Sequence, residues 1–138
     1  MATLTPTLTL ASTDISASET LNLTLTDTLS VLGPVQTKRV TIASASTELL
    51  TDNTVLTAAS YSKSYVLLYN TSTATSGEII TTGLASNDGS GDETLDSVDL
   101  SLSPGEFAFF PWESSQNIMA DASSGSPVLE IRIFQAAA

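Results

Sequence analysis

Apolar and polar positions alternate along most of this chain. Leu4, Leu8 and Leu10 fall on one side of an extended segment, with Pro6 between them, while Thr3, Thr5, Thr7 and Thr9 fall on the other. Leu21, Leu23 and Leu25 alternate with Asn22, Thr24 and Thr26. Val40 and Ile42 alternate with Arg39 and Thr41, and Val98, Leu100 and Leu102 with Ser97, Asp99, Ser101 and Ser103. A period of two sends successive side chains to opposite faces, so each segment predicts a strand with one greasy and one wet face. Two segments depart from this. Tyr65–Tyr69 and Phe107–Trp112 are apolar on both sides. A two-layer sandwich covers one face of each strand. The pattern therefore calls for a second cover over these two: a terminal arm, a long loop or another subunit.

Turn chemistry divides the strands. Gly33-Pro34 reads as a turn, as does Asp52-Asn53. Ser103-Pro104-Gly105-Glu106 has Pro and Gly at the two central positions of a type II turn. Ser123–Pro127 is expected to close a last hairpin between Ile118–Ala120 and Val128–Phe134. Residues Glu48–Ala59 have room for one helical turn, and no longer helix is indicated. The reading is an all-β chain: a single β-sandwich of jelly-roll type with eight to ten short antiparallel strands. Residues 1–14 form an N-terminal strand or arm and 15–138 the sandwich. Pro6 lacks an N–H, which confines its segment to an edge. That segment is either the sandwich's first strand or an arm that adds to a neighbouring sheet.

Composition narrows the function. The chain has 138 residues, enough for one domain with a real core. It contains no Cys and no His, which removes thiolate chemistry and the usual base and metal ligand near neutral pH. The net charge is -11, from 15 acidic and 4 basic residues. With Lys38, Arg39, Lys63 and Arg132 as its cations, the chain is not expected to bind nucleic acid or an anionic membrane. Ser and Thr make up about 30% of the residues, well above ordinary usage. The N-terminus has neither a basic start nor a continuous apolar run, so synthesis and folding in a cytoplasm are expected.

Candidate chemistry is sparse. Asp88, Ser90, Asp92, Thr94, Asp96 and Asp99 follow the spacing of a calcium loop, which makes Asp88, Asp92, Asp96 and Asp99 the candidate ligands. Against this, Glu93 stands where the loop's sharp turn needs Gly, the last ligand is Asp, and the flanks read as strands. A solvated loop without metal is the preferred reading. No pair of carboxylates is singled out for glycosidase work, and no Ser has an activating partner. The expectation is no enzymatic activity and no cofactor. Asn70-Thr71-Ser72 matches a glycosylation sequon, which carries no weight without a secretion signal. Tyr61, Tyr65, Tyr69 and Trp112 are candidates for sugar stacking, although Tyr65 and Tyr69 read better as core. Trp112, after Pro111 at a strand end, is a candidate interface anchor, with Phe110 beside it. Arg132 shares a strand face with Glu130 and suits an ion pair, while Arg39 joins Thr37 and Thr41 on a polar face.

The C-terminal half carries a resemblance. Leu102–Trp112 with its Pro-Gly-Glu turn, then Asn117–Ala122, then Ser126–Phe134, resembles the ending of small virion proteins of tailed bacteriophages. The Thr/Ser-rich composition without Cys or His is similar to theirs as well. The resemblance covers about residues 64–135 and implies a capsid decoration (cement) protein. Such a protein binds the major capsid protein on the outer surface of the phage head, often as a homotrimer, and stabilises the shell. Leu4, Leu8, Leu10, Arg39, Phe110, Trp112 and Arg132 are then the expected capsid or subunit contacts. The alternatives are a head-fibre or tail-surface domain that binds host glycans and a calcium-bound bacterial surface domain.

Overall fold

The structure is a computed structural model. It describes residues 1–14, 20–43, 47–50, 63–73, 77–86, 95, 98–113 and 116–137. Among these there is no helix, and all strand pairs are antiparallel. The strands are β1 (Ala2–Leu4), β2 (Thr7–Ser12), β3 (Leu21–Thr26), β4 (Leu29–Thr41), β5 (Thr47–Leu50) and β6 (Lys63–Asn70). They continue with β7 (Ile80–Ser86), β8 (Leu100–Leu102), β9 (Phe107–Glu113), β10 (Gln116–Ala122) and β11 (Val128–Ala136). One sheet has the order β1-β4-β11-β6-β9 and the other β5-β10-β7-β8. The eight strands β4 to β11 thus form two four-stranded sheets with jelly-roll connections, and β1 extends one edge. The expected all-β sandwich is what the chain forms. The strands β2 and β3 stand apart as a two-stranded ribbon.

Alternation places the core between the sheets. In β6, Ser64, Val66, Leu68 and Asn70 are buried, while Lys63 and Tyr69 are exposed and Tyr65 and Leu67 half-buried. Leu129, Ile131 and Ile133 of β11 point the same way as Val66 and Leu68. From the second sheet they meet Ile80, Leu102, Ile118, Ala120 and Ala122. Burial of each large aliphatic side chain stabilises the fold by about 1.5–3 kcal/mol before entropy is counted. The inward face is therefore the one that holds the molecule together.

Three expectations change. Gly33-Pro34 is not a turn, because β4 runs through it. Gln36 pairs Ile133 and Leu32 pairs Gln135, so three residues of β4 stand opposite Phe134 alone. That bulge accommodates a Pro, which cannot donate to the ladder. Ile118–Ala120 and Val128–Phe134 do not form a hairpin. β10 pairs β5 and β7, while β11 pairs β4 and β6, so the turn between them crosses from sheet to sheet. Thr47–Leu50 is a strand rather than the start of a helical turn; residues 51–59 and Asp52-Asn53 lie outside the described residues.

Two polar features fix how the loops close. Gly105 has φ 82° and the Glu106 N–H donates to the Ser103 carbonyl at 3.0 Å. This is the type II turn that Pro104-Gly105 predicts. Asn70 is fully buried. Its amide donates to the carbonyls of Glu78 at 2.9 Å and Leu102 at 3.0 Å, and its Oδ1 accepts the Ser72 N–H at 3.1 Å. The side chain is a clamp between β6, the approach to β7 and the end of β8. Its amide nitrogen is committed to two carbonyls in the core, so the sequon is a structural site.

Candidate docking site

The ribbon grows out of the sandwich edge without a break in register. Leu4 lies opposite Leu29, Thr7 opposite Thr26 and Ser12 opposite Leu21, and the Asp27 N–H donates to the Pro6 carbonyl at 3.2 Å between them. Every pair keeps the same offset, so β1–β2 and β3–β4 are two arms of one long hairpin interrupted at Pro6. This register sorts the side chains. Leu4, Leu8 and Leu10 share a face with Leu23, Leu25 and Leu29, and Thr7 and Thr9 share the other with Thr24 and Thr26. A two-stranded hairpin is marginal alone, and this one is anchored through β1 and β4. Beyond the anchor its leucine face is only partly covered. Leu8 is 47%, Leu10 42%, Leu23 38% and Leu25 55% exposed.

The second feature is the outer face of the five-stranded sheet. Across it run the rows Arg39–Glu130–Tyr69–Phe107 and Thr37–Arg132–Leu67–Phe109, with Phe134–Tyr65–Pro111 next. One half is thus ionic and the other aromatic. Tyr65 stacks on Phe109 with ring centroids 6.1 Å apart, and Phe109 meets Phe134 edge-on at 6.4 Å. Lys63 sits 5.2 Å from the Tyr65 ring centre. Phe107 is nevertheless 65%, Tyr69 38% and Phe109 37% exposed. Exposed aromatics beside Arg are the composition of interface hot spots.

In the ionic half, two guanidiniums hold one carboxylate. Arg132 donates to Glu130 Oε1 from Nε at 2.9 Å and Nη2 at 2.7 Å. Arg39 donates to Oε2 from Nε at 3.2 Å and Nη2 at 2.9 Å. The hydrogen bonds from Arg132, then those from Arg39, lower the Glu130 pKa below its ordinary value, against an opposing effect of burial. The cluster carries a net positive charge on an acidic protein. It contains the ion pair expected for Arg132 and brings in Arg39, which the sequence placed on the polar face without a partner.

The ribbon and the sheet face meet in one groove of about 400 Å³. Pro6, Leu8, Leu25 and Leu29 form one wall, and Lys63, Tyr65, Phe109 and Pro111 the other. A smaller cleft of about 220 Å³ opens between the sheets, lined by Thr82, Gly83, Asp99, Leu100, Phe110 and Ile118. Among the described residues that line it, Asp99 is the carboxylate.

No family model matches the chain, and no curated protein matches its sequence. The fold has a distant likeness. A chain from the Bacillus endospore appendages, a family of disulfide-linked pili, matches it with a TM-score of 0.52. The two are 13% identical over 80% of this chain and 91% of that one. At that identity the likeness concerns fold, and fold does not carry function.

The expected contact residues divide. Leu8 and Leu10 are exposed on the ribbon, and Leu4 is half-buried at its base. Arg39 and Arg132 lie on the outer sheet face. Trp112 does not anchor an interface: it is 2% exposed in the core, opposite Ser64 on the inward side of β6. Phe110 has the same parity and packs against the core. Tyr65 and Tyr69, expected in the core, face outward instead. The surface residues that sequence reasoning missed are Phe107 and Phe109. Both parities of β9 are apolar, so its sequence does not say which one turns in. Of the candidate calcium ligands, Asp88, Asp92 and Asp96 lie outside the described residues, as does Tyr61. Asp99 is exposed, and its N–H donates to the Thr82 carbonyl at 2.9 Å. Among the described residues no three acidic side chains group to hold a cation.

Proposed function

We propose that this chain is a structural subunit of a virus particle: a decoration protein that binds the outer surface of a phage head and stabilises it. The observation that carries this reading is the protruding ribbon, which offers a partly exposed leucine face beside an aromatic and cationic sheet face. Surfaces of that kind serve protein contacts. The lack of His and Cys and the resemblance of the C-terminal half to phage virion proteins support it further. A protein that binds the assembled shell and not its separate parts stabilises the shell by mass action. Repetition over a lattice turns modest contacts into high avidity. The major capsid protein is then the partner and the virion surface the location.

The test is position on the particle. Gold-labelled antibody against the purified protein is applied to virions of the phage whose genome encodes it. Label spread over the head supports the reading, together with earlier loss of DNA on heating from heads that lack the protein. Label confined to the tail, or absent from particles, overturns it. The likeness to a pilus chain favours a second reading, a subunit of an extracellular fibre. A fibre of this protein would not be disulfide-linked, since the chain has no Cys. Filaments in place of head label would select it.

A further inference from the structure

We infer that the ribbon of one copy of this chain docks on the outer face of the five-stranded sheet of a second copy. Its leucines would cover the aromatics of β6 and β9. This names a self-association surface and does not depend on the virion reading.

Each face lacks what the other supplies. Leu8, Leu10, Leu23 and Leu25 are between 38% and 55% exposed on one, and Tyr69, Phe107 and Phe109 between 37% and 65% on the other. One ribbon-to-sheet contact brings the two sets together, apolar area on the order of 500 Å² summed over both partners, so polar contacts around it have to supply the larger part of the interface. A standard stable interface has roughly 800 Å² per partner, polar rim included. The ribbon spans six residues in each strand, about 20 Å, which matches the length of an ordinary sheet strand.

Charge gives the pairing its direction. Two molecules of net charge -11 repel, and close approach requires surfaces that escape this. The strands β2 and β3 contain no charged residue. Asp14 lies beyond the end of β2 and Asp27 at the ribbon's base. The sheet face and the groove beside it hold Arg39, Arg132 and Lys63, three of the chain's four cations. A ribbon whose flanking charges are acidic thus meets a face that carries three cations of an acidic molecule. The open groove shows that the chain's own ribbon stands off its own sheet at Leu8 and Leu25. The contact is heterologous, ribbon to sheet, so it closes into a ring such as a trimer or continues as a fibre.

Two exposed substitutions separate the halves of the contact. Leu10→Glu removes the ribbon and keeps the seat, whereas Phe107→Glu removes the seat and keeps the ribbon. Light scattering across concentration should show the parent chain as oligomers. Each variant alone should run as a monomer, with association weakened at least tenfold, the circular dichroism spectrum unchanged and the melting point equal to the value that the parent approaches on dilution. An equimolar mixture should give 1:1 dimers, because one intact ribbon and one intact seat remain. Should Leu10→Glu perturb the ribbon itself, Leu23→Ser tests the same face. The chain has no Cys, so L10C mixed with F107C should give an oxidised heterodimer. A parent chain that is monomeric at every concentration overturns the inference. So does a Phe107→Glu protein that associates like the parent, or efficient L10C homodimers, which would indicate ribbon-to-ribbon packing. Light scattering needs no virus particle, so failure here is distinguishable from failure of the virion reading.

Discussion

Strands β2 and β11 show the same alternation in sequence and have opposite fates. Leu8 and Leu10 lie on one side of β2, and Leu129, Ile131 and Ile133 on one side of β11. The β11 residues are between 0% and 3% exposed, and the β2 leucines 47% and 42%. The difference is what lies opposite. β11 is the middle strand of its sheet, with the second sheet over it. Among the described residues β2 pairs with β3 alone, and its leucines border an open groove rather than a second sheet. A period of two thus identifies the apolar face, and topology decides whether that face is spent on folding or left for a partner.

The sharpest way to break this contrast is truncation on both sides. Ile131→Ala should destabilise the protein by about 2–5 kcal/mol, because it deletes methyl and methylene groups at a site with no freedom to collapse. Leu25→Ala should change stability by about 0.5 kcal/mol or less, as exposed positions usually do. Urea denaturation at low protein concentration measures both. Equal losses would mean that the ribbon face is part of the core.

The Asn70 clamp should give the next largest effect. Asn70→Leu removes the hydrogen bonds to the carbonyls of Glu78 and Leu102 and from the N–H of Ser72. The expected cost is about 2–4 kcal/mol, most of it from the buried Leu102 carbonyl at about 1–3 kcal/mol and less from the part-buried Glu78 and Ser72 groups, which water can reach. A melting temperature within a degree or two of the parent's would show that water replaces the clamp. This residue illustrates where the sequence is silent. Asn70-Thr71-Ser72 reads as a sequon or a strand end, and nothing local says that Asn70 turns inward to tie three loops.

More of the fold than of the site was legible. Leu4, Leu8, Leu10, Leu21, Leu23 and Leu25 specify their strands by alternation, and Pro104-Gly105 specifies its turn through the positive φ at Gly105. The last hairpin was misread because adjacency in sequence favours pairing, whereas a jelly roll sends successive strands to different sheets. The aromatic seat was hidden because Phe107, Phe109, Phe110 and Trp112 are equally apolar. Which parity of β9 turns inward follows from the register of Trp112, Phe110 and Ala108 with Ser64, Val66 and Leu68, which is a long-range fact. Arg39 and Arg132 likewise meet over Glu130 across 91 and 2 residues of sequence, and the shorter separation was the legible one.

Removal of the ribbon should matter less to folding than either core change. Because Pro6 and Asp27 already bond to each other, residues 7–26 can be replaced by an Asn-Gly turn, which suits a two-residue hairpin loop. The sandwich should unfold within about 1 kcal/mol of the parent. Unfolding of the shortened chain under native conditions would make the ribbon a folding element, and the contrast between the two faces would fail.

The smallest expected effect is confined to acid. Glu130 accepts four hydrogen bonds from Arg132 and Arg39 in the folded chain, and its pKa lies below the ordinary carboxylate value of 4.5. In the unfolded chain the carboxylate takes the ordinary value. Between the two values the unfolded state binds more protons, so stability rises with pH there. The contribution of Glu130 is fully present above the unfolded pKa and is lost as pH falls through the lowered folded one. Glu130→Gln should therefore flatten the acid limb of the stability curve. Near neutral pH the loss should be modest, because the Arg39 side chain is 67% and the Arg132 side chain 49% exposed and solvent screens such pairs. Thermal melts of both proteins from pH 7 down through the carboxylate range provide the comparison. Identical acid limbs would show that the cluster does not contribute to folding, leaving both guanidiniums to be explained by what binds the face they share with Tyr69 and Phe107.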